Sequence, residues 1–167
     1  LQDLEMLLPQ FIGEGKPPFI LILDRVTDVR NFGAIVRTAE CAGVNAIVVP
    51  AKGAASIGSD AVKTSAGALH HIPICRVGSL KMTVSFLKQS GLRVVSASEK
   101  AEKSIYDINF NGPVALVMGA EDLGVNPDLI KLSDEVAKIP LNGKIYSLNV
   151  SVATGIILYE IVRQRGL

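Results

Sequence analysis

Residues 19–43 read FILILDRVTDVRNFGAIVRTAECAG. The five apolar residues Phe19 to Leu23 are too few for a helix and stop at Asp24. A continuous apolar run of this length suits a strand buried on both faces. A polar turn follows. Asn31 to Ala42 then has the character of a helix that ends at Gly43, a residue favoured just past a helix C-terminus. Strand, turn and helix are thus encoded in one stretch.

The same alternation continues outward. Ala46–Val49, Ile72–Arg76, Leu92–Ser96, Val114–Met118 and Val136–Ile139 are further short apolar runs. Helical segments lie between several of them. Leu80–Gln89 ends near Gly91, Pro127 suits the first position of a helix, and Ser147–Arg165 is the longest candidate. This order predicts an α/β fold with a mainly parallel sheet and helices on both faces. Residues 1–17 are expected to form a short amphipathic helix and a linker ending at Pro17 and Pro18, the tail of an upstream domain. Residues 18–167 are expected to form the main folded domain.

Composition removes several classes of protein. A chain of 167 residues can bury one sizeable core. With 49% hydrophobic and 20% charged residues it is not a disordered chain. The formal net charge of +1 excludes a strongly basic composition but leaves room for a local basic patch. Two cysteines, Cys41 and Cys75, exclude a disulfide scaffold or a four-cysteine zinc site and fit a reducing compartment. Cys41 reads as a core residue of its helix. His70 and His71 are adjacent and lack companion ligands, so no metal is expected. No apolar run approaches the ~20 residues of a membrane-spanning helix. Leu148–Val162 is apolar nearly all round, which predicts a buried helix. Ser147, Ser151 and Gly155 at four-residue spacing add a stripe of small side chains to it. Such a helix in a small domain points towards a dimer interface.

Three segments hold polar residues that a packed core does not require. In Asp24–Arg37, Asn31 suits a helix N-cap, and Arg37 follows Gly33 by one turn. Gly33 is expected to leave room for a ligand beside Arg37, although spacing alone fits a solvated arginine equally well. In Met118–Gly124 (MGAEDLG), a strand ends in a loop where open parallel sheets bind ligands. Gly119 allows close backbone approach there. Glu121 stands where a dinucleotide loop has its second glycine, and its charge would repel a pyrophosphate, which argues against a nicotinamide dehydrogenase. In Ile139–Asn149 (IPLNGKIYSLN), Ser147 and Asn149 flank Leu148, a pattern that predicts a mixed apolar and polar site. Lys63–Ala68 (KTSAGA) suits either close packing or backbone contact with a phosphate.

Taken in order, NFGAIVRTA, MGAExxG and IPLNGxxxSLNVSVA resemble the three motifs of the SpoU family of AdoMet-dependent RNA ribose 2′-O-methyltransferases. The resemblance spans about Phe19 to Arg165. It implies a C-terminal trefoil knot, a cytoplasmic homodimer with its active site near the subunit interface, and AdoMet without a metal. It also implies an RNA substrate, a guanosine of 23S rRNA ahead of a tRNA. The alternative is a non-catalytic RNA-binding module on the same scaffold. By the same resemblance Gly119, Ile139 and Leu148 contact AdoMet, with Leu141 and the backbone near Ser96 and Ala97 as further contacts. Arg37, Asn31, Glu121, Ser147 and Asn149 are the implied catalytic residues, Arg37 activating the hydroxyl. Two positions depart from the pattern: Val29 replaces a common proline, and Arg25 a common glycine. The first implies a less rigid turn and the second an added RNA contact.

Overall fold

The computed structural model describes residues 1–166; Leu167, the last residue of the expected domain, lies outside the described residues. The elements run α1 (Gln2–Gly13), β1 (Phe19–Asp24), α2 (Val29–Cys41), β2 (Ala46–Pro50), α3 (Ser59–Thr64), β3 (Ile74–Val77) and α4 (Leu80–Gln89). They continue with β4 (Arg93–Ala97), β5 (Lys103–Ser104), β6 (Val114–Gly119), α5 (Pro127–Leu132), β7 (Glu135–Lys138) and α6 (Val150–Gln164). The strands form one sheet in the order β3-β2-β1-β6-β4-β7-β5. Every pairing between these strands is parallel.

Alternation along β1 explains the two-sided burial. Phe19, Leu21 and Leu23 enter one core with Phe32, Ile35 and Val36 of α2 and Ile157, Leu158 and Ile161 of α6. Ile20 and Ile22 enter the other with Leu4 and Leu8 of α1, Val84 and Leu87 of α4 and Leu129 of α5. The expected parallel sheet with helices on both faces is therefore present. Residues 1–17 are more than a linker. Leu4, Leu8 and Phe11 of α1 are buried against the sheet, so most of this segment belongs to the same folded unit.

Five local expectations are corrected. The N-cap of α2 is Asp28, whose Oδ1 accepts the Asn31 backbone N–H at 2.8 Å. Asn31 stands inside the first turn, and its side chain is free for another use. A Cβ on Gly33 would fall 2.6 Å from Thr64 Cβ, so α3 fills the space that was expected to serve a ligand. KTSAGA accordingly takes part in close packing, with Ser65 buried and Gly67 in the left-handed region that suits glycine. Cys41 is exposed at the end of α2, because the neighbouring Ala39 and Ala42 take the inward positions. Helix α6 starts at Val150, which leaves Ser147 outside the small-residue stripe. It is also only partly buried: Val152 is 52% and Tyr159 49% exposed, and they lie seven residues apart on one stripe.

The end of α6 is tied down by backbone contacts. Gln164 accepts the Phe110 N–H and donates to the Ile108 carbonyl, both at 2.8 Å. Arg165 donates to the carbonyls of Gly112 and Pro17 and lies over the Phe19 ring, 5.0 Å from its centroid. These contacts join the chain's last turn to the segments entering β1 and β6. Glu160 is buried one turn earlier, and Arg163 grips it with two hydrogen bonds of 2.8 and 2.7 Å.

Candidate active site

β1 and β6 are adjacent, and Asp24 pairs in register with Gly119. Their carboxyl ends, with those of β4 and β7, open onto one side of the molecule. Ligands of open parallel sheets bind at this edge, where helices and loops depart in different directions. A cleft of about 370 Å³ lies there. Gly119, Ile139, Leu141, Leu148 and Ala97 all line it, as expected. Ser96 does not. Side chains alternate along β4, and Ser96 turns to the opposite face, where its hydroxyl meets that of Ser133 at 2.6 Å.

Gly119 is required by its own loop. A Cβ there would overlap the backbone of Gly124 and Val125, which folds back over the strand end. Asp24 and Arg25 hold this fold-back from the other side. Asp24 Oδ2 accepts the Asn126 N–H at 2.7 Å, and Arg25 donates to the Gly124 carbonyl at 3.0 Å. Arg25, which was expected to contact RNA, is thus engaged within the chain and also lies 3.5 Å from Asp24.

The three polar segments meet at the start of α6. Asn149 is its N-cap, and Oδ1 accepts the N–H groups of Ser151 and Val152 at 2.9 and 3.3 Å. The Asn149 amide Nδ2 donates to Asn31 Oδ1 on α2 at 3.0 Å. Glu121 Oε1 accepts the Val150 N–H at 2.8 Å. The first N–H groups of a helix have no partners within it. Here they draw one side chain from the β7–α6 loop and one from the β6–α5 loop, and Asn149 then fixes Asn31.

A second cleft of about 220 Å³ lies beside the first. It is lined by Asn31 and by Arg25 to Asp28 of the β1–α2 turn. Ala120, Glu121, Asp122 and Val150 line both clefts, so Glu121 stands at their junction. Ser147, Asn149 and Arg37 line neither, and Asn149 reaches the smaller cleft only through its bond to Asn31. Ser147 is half-buried in the loop, and Arg37 is exposed on α2. Arg30, Arg37 and Cys41 recur on one exposed stripe of that helix. The sequence reading did not single out Glu99, Lys100, Thr27, Asp28 or Asp122 as lining residues. Their signal was position: all follow the carboxyl ends of β1, β4 or β6.

An open parallel α/β sheet with two joined clefts at its carboxyl edge defines a small-ligand-binding class. Within that class the chain belongs to the SpoU rRNA Methylase family, whose family model matches residues 18–159. It is 41% identical over 160 residues to a 23S rRNA (guanosine-2′-O-)-methyltransferase RlmB of Yersinia pestis, covering 96% of this chain and 65% of that one. The protein of the same description from Escherichia coli K12 is 42% identical over 159 residues, covering 95% and 65%. The chain therefore spans just under two thirds of the length of these curated relatives. Among solved structures, the SpoU methyltransferase AviRb from Streptomyces viridochromogenes in complex with AdoMet superposes with a TM-score of 0.83 at 30% identity, covering 90% of this chain and 61% of that chain. An A. aeolicus TrmH/SpoU tRNA modifying enzyme gives 0.81 at 32% identity, covering 90% and 76%.

Proposed function

We propose that this chain is the catalytic domain of an AdoMet-dependent methyltransferase that modifies a ribose 2′-hydroxyl, that of a guanosine in 23S rRNA. The observation that carries the reading is the junction of the two clefts at Glu121 and Val150, fixed by the start of α6. The larger cleft suits AdoMet by its chemistry. Ile139, Leu148, Ala153 and Ile157 offer an apolar wall for an adenine, while Glu99, Asp122 and Lys100 offer both charges to the ends of an amino-acid moiety. When bound, AdoMet supplies a methyl group on a sulfonium, a leaving group that needs no acid. The relatives most similar in sequence are described as acting on 23S rRNA, which favours that RNA over tRNA.

The residues divide the work as follows. Asn149 and Asn31 hold each other through their amides and give the acceptor ribose a fixed polar wall. Glu121 keeps one oxygen on α6 and has the other for a ribose hydroxyl or an RNA amine. The Arg37 guanidinium offers N–H donors and no acceptor, so it stabilises the oxygen that attacks and does not take its proton. The proton leaves to a phosphate oxygen or to water. Ser147 adjoins Leu148 and completes the polar lining once RNA is present.

We further propose that the protein is a cytoplasmic homodimer. Exposed Val152 and Tyr159 stand about one turn to either side of Gly155 on α6, and a Cβ on Gly155 would fall 3.5 Å from Thr38 of α2. A second copy on this face would cover the apolar groups and complete the site from Arg37. In the same reading β7–α6 passes through the preceding loops as a trefoil knot, a threading supported by the family membership and by the contacts of Gln164 and Arg165. In this reading residues 18–167, with α1 packed against their sheet, form the catalytic domain. Among the described residues no helix is long and apolar enough to cross a membrane.

The test uses labelled AdoMet and unmodified 23S rRNA. Wild-type protein transfers one methyl group to one ribose, and Arg37→Ala abolishes transfer with AdoMet affinity retained. Loss of cofactor affinity with normal turnover per bound cofactor would reject the role of Arg37. Mixing Arg37→Ala with Leu148→Asp protein should restore activity in mixed dimers if the site is shared.

A further inference from the structure

The smaller cleft differs from the larger one in charge. Asp28, Glu121 and Asp122 line it, and Arg25, the cation among its described lining residues, is already engaged by Asp24 and the Gly124 carbonyl. Such a lining repels a phosphate and favours a group rich in hydrogen-bond donors. At about 220 Å³ it is smaller than the pockets of drug-sized ligands, about 300–1,000 Å³, and is suited to a single base. Val26 and Val150, both nearly fully buried, give it apolar walls.

We propose that this cleft holds the base of the acceptor nucleotide and that Asp28 selects guanine there. The inference rests on the methyltransferase reading above and deepens it. Guanine is the RNA base that presents two neighbouring donors, N1–H and the 2-amino group, on its Watson–Crick edge. A carboxylate accepts both. Asp28 spends one lone pair of Oδ1 on the α2 cap and keeps the other, and among the described residues no hydrogen bond engages its Oδ2, so both oxygens can still accept. The cap fixes the carboxylate at the mouth of the cleft before any RNA arrives. Adenine, cytosine and uracil each offer a single donor group on that edge, set beside acceptors that the carboxylate repels. Asp28 therefore sets specificity. It lines the smaller cleft alone, and its replacement should leave AdoMet binding intact.

The experiment compares short rRNA transcripts that carry guanosine or inosine at the methylated position. Inosine lacks the 2-amino group and is otherwise alike. Wild-type protein should methylate the inosine transcript with kcat/KM lower by about tenfold to a hundredfold, the loss expected for one hydrogen bond to a charged group. Asp28→Asn keeps an oxygen for the α2 cap and places an amide N–H₂ where the free oxygen stood. It should lose activity on guanosine and methylate the two transcripts at rates within about twofold, with AdoMet affinity unchanged. Asp28→Ser, which also caps, should likewise lose the preference. Equal wild-type rates on guanosine and inosine overturn the proposal, as does a full preference retained by both variants. A wild-type protein that binds AdoMet and methylates no transcript overturns the methyltransferase reading itself and takes this proposal with it.

Discussion

Replacing Asn149 by alanine removes two things at once. Two backbone N–H groups of α6 lose their acceptor, and the Asn31 carbonyl oxygen loses its donor. Loss of an N-cap costs about 1 kcal/mol, within a range of about 0.5–2. The bond to Asn31 lies at the surface and adds at most about 1 kcal/mol. The sum is about 2 kcal/mol. With a denaturant dependence of about 2 kcal/mol per molar urea, the unfolding midpoint should fall by about 1 M. Urea titration followed by far-ultraviolet circular dichroism measures this. Asn149→Ser separates the two effects: a serine hydroxyl caps the helix but cannot reach Asn31. It should recover at least half of the lost stability, while methyl transfer stays impaired because Asn31 is no longer held. An alanine variant within about 0.5 kcal/mol of wild type, or a serine variant no more stable than alanine, would refute the idea that the start of α6 is fixed by this side chain.

Leu148→Asp places a charge against the apolar wall of the larger cleft and should abolish AdoMet binding in calorimetric titration, with the unfolding curve little changed because Leu148 is only half-buried. Gly119→Ala forces a methyl group into the Gly124 backbone, so it should cost about 1–3 kcal/mol in urea unfolding and weaken AdoMet binding by displacing the loop. The Glu160 carboxyl is held down at about 2 by its hydrogen bonds from Arg163, against the opposing effect of burial. A depressed carboxyl stabilises the fold above its unfolded value near 4.5, and that contribution is lost as pH falls through about 2. Glu160→Gln should therefore be less stable than wild type at neutral pH and show a flatter decline between about pH 4.5 and 2, measured by urea midpoints across that window.

The sheet was legible because its strands are buried on both faces. Phe19–Leu23 and Val114–Met118 are unbroken apolar runs, and these are β1 and β6 at the centre. The two-residue edge strand β5 has no such run, since Lys103–Ser104 pairs only along the outside of β7. Helix starts were less legible. Asp28 and Asn31 are both good capping residues three positions apart, and the bond from Asn149 to Asn31, made across a long separation in sequence, goes with the assignment of the cap to Asp28. Gly33 shows the same limit. Its missing side chain was visible, but the occupant of that space, α3, is set by tertiary packing. The half-exposed face of α6 was hidden because Val152 and Tyr159 are as apolar as its buried residues. Hydrophobicity gives burial somewhere, and whether a core or a second copy supplies it is decided by the fold.

Legibility was greatest where one side chain serves the start of a helix and the proposed site together. The first turn of α6 needs acceptors whether or not a ligand is present. Asn149 and Glu121 answer that need with one atom each; Glu121 stands at the junction of the clefts, and the Asn149 amide holds Asn31, which lines the smaller one. Polar residues therefore cluster in sequence around a helix start more densely than capping alone would require. Arg37 has no such double duty. It is exposed and takes no part in the α6 cluster, so its replacement should leave urea stability within about 0.5 kcal/mol of wild type while abolishing methyl transfer. Asn149 should lose both together. That contrast, read from the same two measurements, separates the part of the site that the fold must build from the part proposed to act on RNA. If Arg37→Ala proved as destabilising as Asn149→Ala, the arginine would belong to the scaffold, and the division would fail.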